Sequence, residues 1–436
     1  MERTHSPAKK GRRFHHKSRY GCTPCKHRRI KCDERKPVCN NCVERSVDCS
    51  FNLKSTLPTA DRQSSTRTLT RVPRPLSQAP GLSFCRGDSR DLELFCHFQI
   101  YTAPAFNHPA SVEKLFRDEF PRIAASFPFL GHGLLSIAYI HLAHLSKNQN
   151  TSKLLAESAL HINQALPGYL GAIKDITKDN SDALFGFALL VVLFTFADVG
   201  EECDGFLRMA RDEASTKARA IQGLANAAAR VARSLQTIFG IFWRCQHWIS
   251  SGPLSPVIQR YDSPPPTDLS VHWINCEDKH LAKLSNLWAS DLTVPFQRSF
   301  ALFECLRCLR ETFAMVTQLT FLRPSDSDHG RPVPLSHDLA DIHRRLCAGR
   351  LYDLPSVFTW YIRLSPEFIR MLEEGNVYAM VVLAHFAIVL DRACADKWWT
   401  HQLPHHLVAM AELILGQERR GWIEWPLMVV ARHTPR

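Results

Sequence analysis

Six cysteines, Cys22, Cys25, Cys32, Cys39, Cys42 and Cys49, fall within "YGCTPCKHRRIKCDERKPVCNNCVERSVDCSF" at residues 20–51. Their spacing is C-x2-C-x6-C, repeated once after a further six residues. Thiolates are soft ligands that suit zinc, and an x2 spacing brings two sulfurs to one side of a turn. The x6 interval leaves room for a helical turn before the third ligand, and Pro37 marks a loop that can reverse the chain between halves. Three thiolates per half leave a tetrahedral zinc one ligand short. Six thiolates satisfy two zinc ions when two sulfurs bridge, one from each half. Such a cluster carries a formal charge of about −2, which the interleaved lysines and arginines offset. It has almost no apolar core, so metal binding is expected to supply most of its folding free energy.

These ligands sit in the basic end of the chain. Residues 1–90 hold 21 Lys/Arg against 7 Asp/Glu, whereas the whole 436-residue chain has 54 against 42. A polyanion is therefore expected to bind the N-terminal fifth. The opening "MERTHSPAKKGRRFHH" has no apolar run after its charges, so no secretory signal is expected and a reducing compartment is. In that setting clustered cysteines read as metal ligands before disulfides. The arm at 1–19, with "KKGRRFHHKSR", reads as a nuclear-import signal, a phosphate-tracking tail, or a solvated terminus. Residues 52–90 are rich in Ser, Thr and Pro and too poor in large apolar residues to offset their chain entropy, which predicts a flexible linker.

Beyond this the pattern is helical, and an all-α domain is expected over 91–436. In "TSKLLAESALHINQALP" the residues Leu155, Ala159, Ile162 and Leu166 share one face, with Pro167 expected to stop the helix. Ile221, Leu224, Ala228, Val231, Leu235 and Ile238 form a longer stripe, expected to pack in a bundle. Breaks are expected at 251–256, 261–268 and 323–334. The apolar run "ALFGFALLVVLFTFA" at 183–197 falls short of the ~20 residues that span a bilayer and is expected to be a buried helix. No membrane span is expected.

The cysteine block resembles the fungal six-cysteine, two-zinc binuclear cluster at every ligand position and spacing. The resemblance implies that Cys22, Cys25, Cys32 and Cys39 hold one Zn²⁺, and Cys39, Cys42, Cys49 and Cys22 the other, with Cys22 and Cys39 bridging. It further implies that the first helix enters the major groove of double-stranded DNA and that Lys26, His27, Arg28, Arg29 and Lys31 read a CGG-type triplet. Family members often carry lysine where this chain has Arg28 and Arg29. The chemistry of those side chains agrees, because Arg and Lys donate to the O6 and N7 acceptors of guanine. Segments at 91–103, 116–145, 398–410 and 422–431 resemble the regulatory domain of the sterol uptake control proteins. That likeness implies a helical bundle which in some relatives binds a hydrophobic small-molecule effector. The apolar runs 183–197 and 376–390 could wall such a cavity or simply pack together.

The resulting expectation is a mostly α chain: a basic arm at 1–19, a zinc cluster module at 20–51, a linker at 52–90, and an all-α regulatory domain at 91–436. It is expected to act in the nucleus as a sequence-specific regulator of RNA polymerase II transcription, with DNA and the transcription machinery as partners and a homodimer left open. The other reading is a zinc-dependent protein-interaction module that does not read DNA sequence. No enzyme is expected. His401, His405 and His406 in "HQLPHH" lack a metalloprotease Glu, and Pro404 argues against a regular helix there. The nine remaining cysteines show no second ligand pair and read as small buried hydrophobes.

Overall fold

A computed structural model describes residues 21–35, 38–45, 47, 49, 89–106, 110–146, 150–212, 216–258, 268–321, 336–351, 353–394, 397–400 and 402–430. The chain divides into two compact units, Met1–Val72 and Pro73–Arg436. The expected basic arm lies outside the described residues, as does the expected linker except for Ser89 and Arg90. Those two residues already belong to the first helix of the larger unit.

In the smaller unit two short helices, α1 (Thr23–His27) and α2 (Asn40–Val43), each begin directly after a cysteine. Among the described residues its buried side-chain core is the six cysteines, with Val38 and Val47 packed at the edge.

The larger unit is helical, as its periodicity predicts. Its main helices are α3 (Ser89–His97), α4 (Pro128–Leu145), α5 (Thr151–Ala172), α6 (Lys178–Asp212), α7 (Lys217–Ile249) and α8 (Asp268–Ala282). They are followed by α9 (Phe296–Gln318), α10 (Leu339–Ala348), α11 (Pro366–Glu373), α12 (Val377–Cys394), α13 (Leu403–Leu415) and α14 (Glu424–Val430). Among the described residues, one antiparallel pair, Thr320–Phe321 against Arg350–Leu351, is all the strand structure. Some of the starts carry a side-chain cap. Asp338 accepts from the Ala340 N–H at 3.1 Å ahead of α10, and Ser365 accepts from the Phe368 N–H at 3.2 Å ahead of α11.

The α6 and α7 helices form the most extensive pairing. The α7 stripe is buried at Leu224, Ala228, Val231, Leu235 and Ile238, and Ile221 is only partly covered. The expected buried run at 183–197 lies inside α6. Both α6 and α12 contain stretches long and apolar enough to cross a membrane, yet 78% and 89% of those stretches are buried inside the fold. In α12 every residue from Ala379 to Cys394 is buried. That is the packing of core helices.

Two prolines depart from their expected effect. Pro167 does not stop α5, which runs on to Ala172. Past the proline, Tyr169 is buried and packs on Phe187 (4.8 Å between ring centres) and Phe129 (5.9 Å), and this contact offsets the missing N–H. Pro404 sits in the first turn of α13, where its N–H would have no intrahelical acceptor. His405 and His406 are therefore helical, and His406 Nε2 lies 2.9 Å from Asp204 Oδ1. His401 lies outside the described residues.

Two core histidines make stability pH-dependent. Burial, with His97 and His144 nearby, lowers the His141 pKa to about 4, and burial lowers that of His385 to about 3. His385 donates its Nδ1–H to the Val381 carbonyl at 2.8 Å. Both shifts are downward, so below about pH 6.5 the unfolded chain takes up protons that the fold refuses. Stability is expected to fall as pH drops from about 6.5 toward 4. Thermal unfolding of the wild type and His141→Asn across that window checks this: the variant should lose up to about 1.4 kcal/mol per pH unit of the slope.

Candidate metal centre and nucleic-acid interface

All six cysteines of the smaller unit are at most 5% exposed. The Sγ atoms of Cys22, Cys25, Cys39 and Cys42 lie within 4.8 Å of one another. Cys22 and Cys39 are 3.5 Å apart, Cys22 and Cys42 3.6 Å, and Cys25 and Cys39 3.7 Å. Two sulfurs on one tetrahedral zinc, at Zn–S distances of about 2.3 Å, stand about 3.8 Å apart. The spacing therefore fits shared metal ligation and is far longer than a disulfide. Cys22 and Cys39, one from each half, are mutual neighbours, and each also touches a sulfur of the opposite half.

The electrostatics point the same way. Burial pushes the Cys22 thiol up to about 12 and raises Cys25 and Cys39. Thiols held this way ionise near neutral pH only when a cation shares the site. At Cys32 burial opposes ionisation too, but the backbone N–H groups of Cys22 and Glu34 donate to its sulfur, each at 3.4 Å, and lower its pKa.

Local hydrogen bonds set the frame. Asn40 N–H donates to both Asp33 carboxylate oxygens (3.1 and 3.2 Å), and Asn41 Nδ2 donates to the Lys31 carbonyl (2.8 Å). The start of α2 is thus tied to the loop that carries Cys32. At the end of α1, Ile30 N–H reaches the Cys25 carbonyl and Arg29 N–H the Lys26 carbonyl, both at 3.1 Å. Arg29 lies in the left-handed region with φ 57°. This is a Schellman ending with arginine where glycine is usual.

Lys26 and His27 are the last residues of α1 and Arg28 caps it, so Arg29 and Lys31 follow the helix rather than extending it. The x6 interval thus holds the helical turn it has room for, and the left-handed residue after it turns the chain back so that the third sulfur can join the cluster. Lys26, His27, Arg28, Arg29 and Lys31 are all exposed, and none has an ion-pair partner among the described residues. They are available to an external anion.

Comparison with known proteins agrees with this geometry. The fungal Zn(2)-Cys(6) binuclear cluster domain matches residues 20–58. A Zn(2)-C6 fungal-type transcription factor of Aspergillus fumigatus is 29% identical over 43% of this chain and 49% of its own length, so that match spans about half of the relative. One of Gibberella zeae is 24% identical over 96% of this chain and 86% of its own length. Sterol uptake control protein 2 of Candida albicans is 55% identical, but over 40 residues, 9% of this chain and 6% of its own length. That short likeness covers the cluster alone, so the expected extension of the sterol-uptake resemblance into the helical unit is not supported. The Gibberella relative aligns along the helical unit as well, and the 193-residue Aspergillus alignment is too long to lie within the smaller unit alone. On the cysteine cluster and these alignments, residues 20–58 carry the fungal Zn(2)-Cys(6) binuclear cluster domain, a domain that binds two zinc ions.

Proposed function

We propose that the chain is a nuclear, sequence-specific DNA-binding regulator of RNA polymerase II transcription. In this reading Cys22, Cys25, Cys32 and Cys39 hold one zinc, Cys39, Cys42, Cys49 and Cys22 the other, and Cys22 and Cys39 bridge. Residues 20–51 supply specificity, 52–90 tether, and the helical unit recruits or regulates. The observation that carries the proposal is the set of five exposed basic side chains, Lys26, His27, Arg28, Arg29 and Lys31, on the turn that leaves the cysteine cluster. Arg28 and Arg29 donate in pairs to guanine O6 and N7 in a CGG-like triplet, and the lysines contact phosphates.

In vitro selection from random duplexes with the zinc-loaded full chain tests this, and enrichment of a CGG-like triplet is expected. A flat result from folded, zinc-loaded protein would leave the protein-interaction reading in place. The arginine assignment has its own test. Arg28→Ala and Arg29→Gly should each weaken the selected site by about 1 to 3 kcal/mol, roughly 5- to 150-fold, with zinc content unchanged. Glycine is the right replacement at Arg29 because it fits the left-handed backbone, so any loss belongs to the guanidinium.

A further inference from the structure

A second group of metal-ligand side chains lies in the helical unit, away from the six-cysteine cluster in sequence. His272 and Cys276 stand one turn apart on α8, so their side chains share a face. His337 lies just before Asp338, the cap of α10. The Cys276 sulfur is 3.7 Å from His272 Nε2 and 3.7 Å from His337 Nδ1. All three ligand atoms lie within 4.8 Å of one another, and the two imidazole rings meet edge to face at 4.5 Å. One sulfur and one nitrogen on a tetrahedral zinc stand about 3.5 Å apart, given Zn–S of about 2.3 Å and Zn–N of about 2.0 Å. The observed spacing is that of a coordination sphere.

We propose that His272, Cys276 and His337 bind one zinc ion through Nε2, Sγ and Nδ1, with water in the fourth position. An N₂S set suits zinc or a similarly borderline divalent cation. Neither imidazole has an acidic partner among the described residues, and Cys276 and His272 are half-buried while His337 is exposed, so a cation can enter from solvent. Beneath the group, Trp273, Ile342 and Leu346 form a small apolar island with Cys276 and Leu339 at its edge. The metal fastens α8 to the start of α10 above that island.

A comparable trio fails the same test. His343, Cys347 and Asp391 are also close, but Arg392 Nε donates to His343 Nδ1 at 3.1 Å. That leaves the proton on Nε2, where it faces Asp391 Oδ2 at 3.0 Å, so no lone pair remains for a metal.

The experiment is zinc counting on the purified full chain after dialysis against micromolar free zinc, with Cys276→Ser and His337→Ala beside the wild type. Each variant should hold one zinc fewer per chain than the wild type, and the wild type alone should gain thermal stability in the helical unit when zinc is added. His337→Ala, at an exposed position, keeps the test clear of any packing defect at Cys276. Because the readout is a difference, the six-cysteine cluster contributes equally to every protein. Equal zinc in all three proteins overturns the proposal, whether the count is that of the cluster alone or one higher.

Discussion

Cys39→Ser is expected to lower the zinc content of the full chain by two ions, whereas Cys49→Ser should lower it by one at limiting zinc. The contrast follows from the sulfur geometry. The Cys39 sulfur lies 3.5 Å from Cys22 and 3.7 Å from Cys25, so it sits between the two halves, where the proposed assignment has it bridge both ions. Cys49 serves one. Among the described residues the smaller unit has no hydrophobic core beyond its cysteines, and structural zinc contributes about 10–16 kcal/mol to the folding of small metal-dependent modules. With both ions gone that unit should unfold, and DNA affinity should drop at least ~100-fold, to the sequence-independent level. Helical circular dichroism and the melting of the larger unit should stay as they are, because its core shares no residue with the cysteine cluster. Metal analysis beside a band-shift assay reads both effects. Loss of a single zinc from Cys39→Ser would remove the bridging assignment.

The cluster could be found from spacing because its ligands are local: coordination chemistry fixes both the residue type and the interval, and thirty residues contain the whole site. The helical class was equally open, since the Leu224 to Ile238 stripe alternates intervals of four and three residues, the spacing of one helix face. What spacing could not give was anything decided by distant packing. Pro167 reads as a stop until Tyr169 is seen against Phe187. The Schellman ending at Arg29 carries no glycine to announce it. Cys276 reads as a buried apolar residue because one of its two histidine neighbours is 61 positions away. The likeness to the sterol uptake control protein falls on the cluster, where ligand spacing is specific, whereas apolar periodicity in the helices is common to many bundles.

Glu277→Ala is expected to destabilise the helical unit by about 3–5 kcal/mol, the cost of leaving a buried charge without its partner. Glu277 is fully buried on α8, and its Oε1 accepts from Arg392 Nη2 at 2.6 Å while its Oε2 accepts from the Thr317 hydroxyl at 3.0 Å. Arg392 is itself 8% exposed, lies over the Phe313 ring at 5.3 Å, and orients His343 toward Asp391. Four helices, α8, α9, α10 and α12, thus meet at one guanidinium. Removing the carboxylate strands that charge in the core, while Arg392→Ala strands Glu277 instead. A double replacement, Glu277→Leu with Arg392→Met, removes both charges and supplies apolar volume, so it should cost less than the two single changes together and recover most of the stability. Urea unfolding of the four proteins measures the coupling, and strictly additive losses would show that the pair does not act as a unit. Glu277 follows Cys276 directly, about 100° around the helix, so α8 presents the metal-ligand group on one face and this ion pair on another. Loosening the ion pair should therefore also weaken zinc binding at His272, Cys276 and His337, because α10 is held by both.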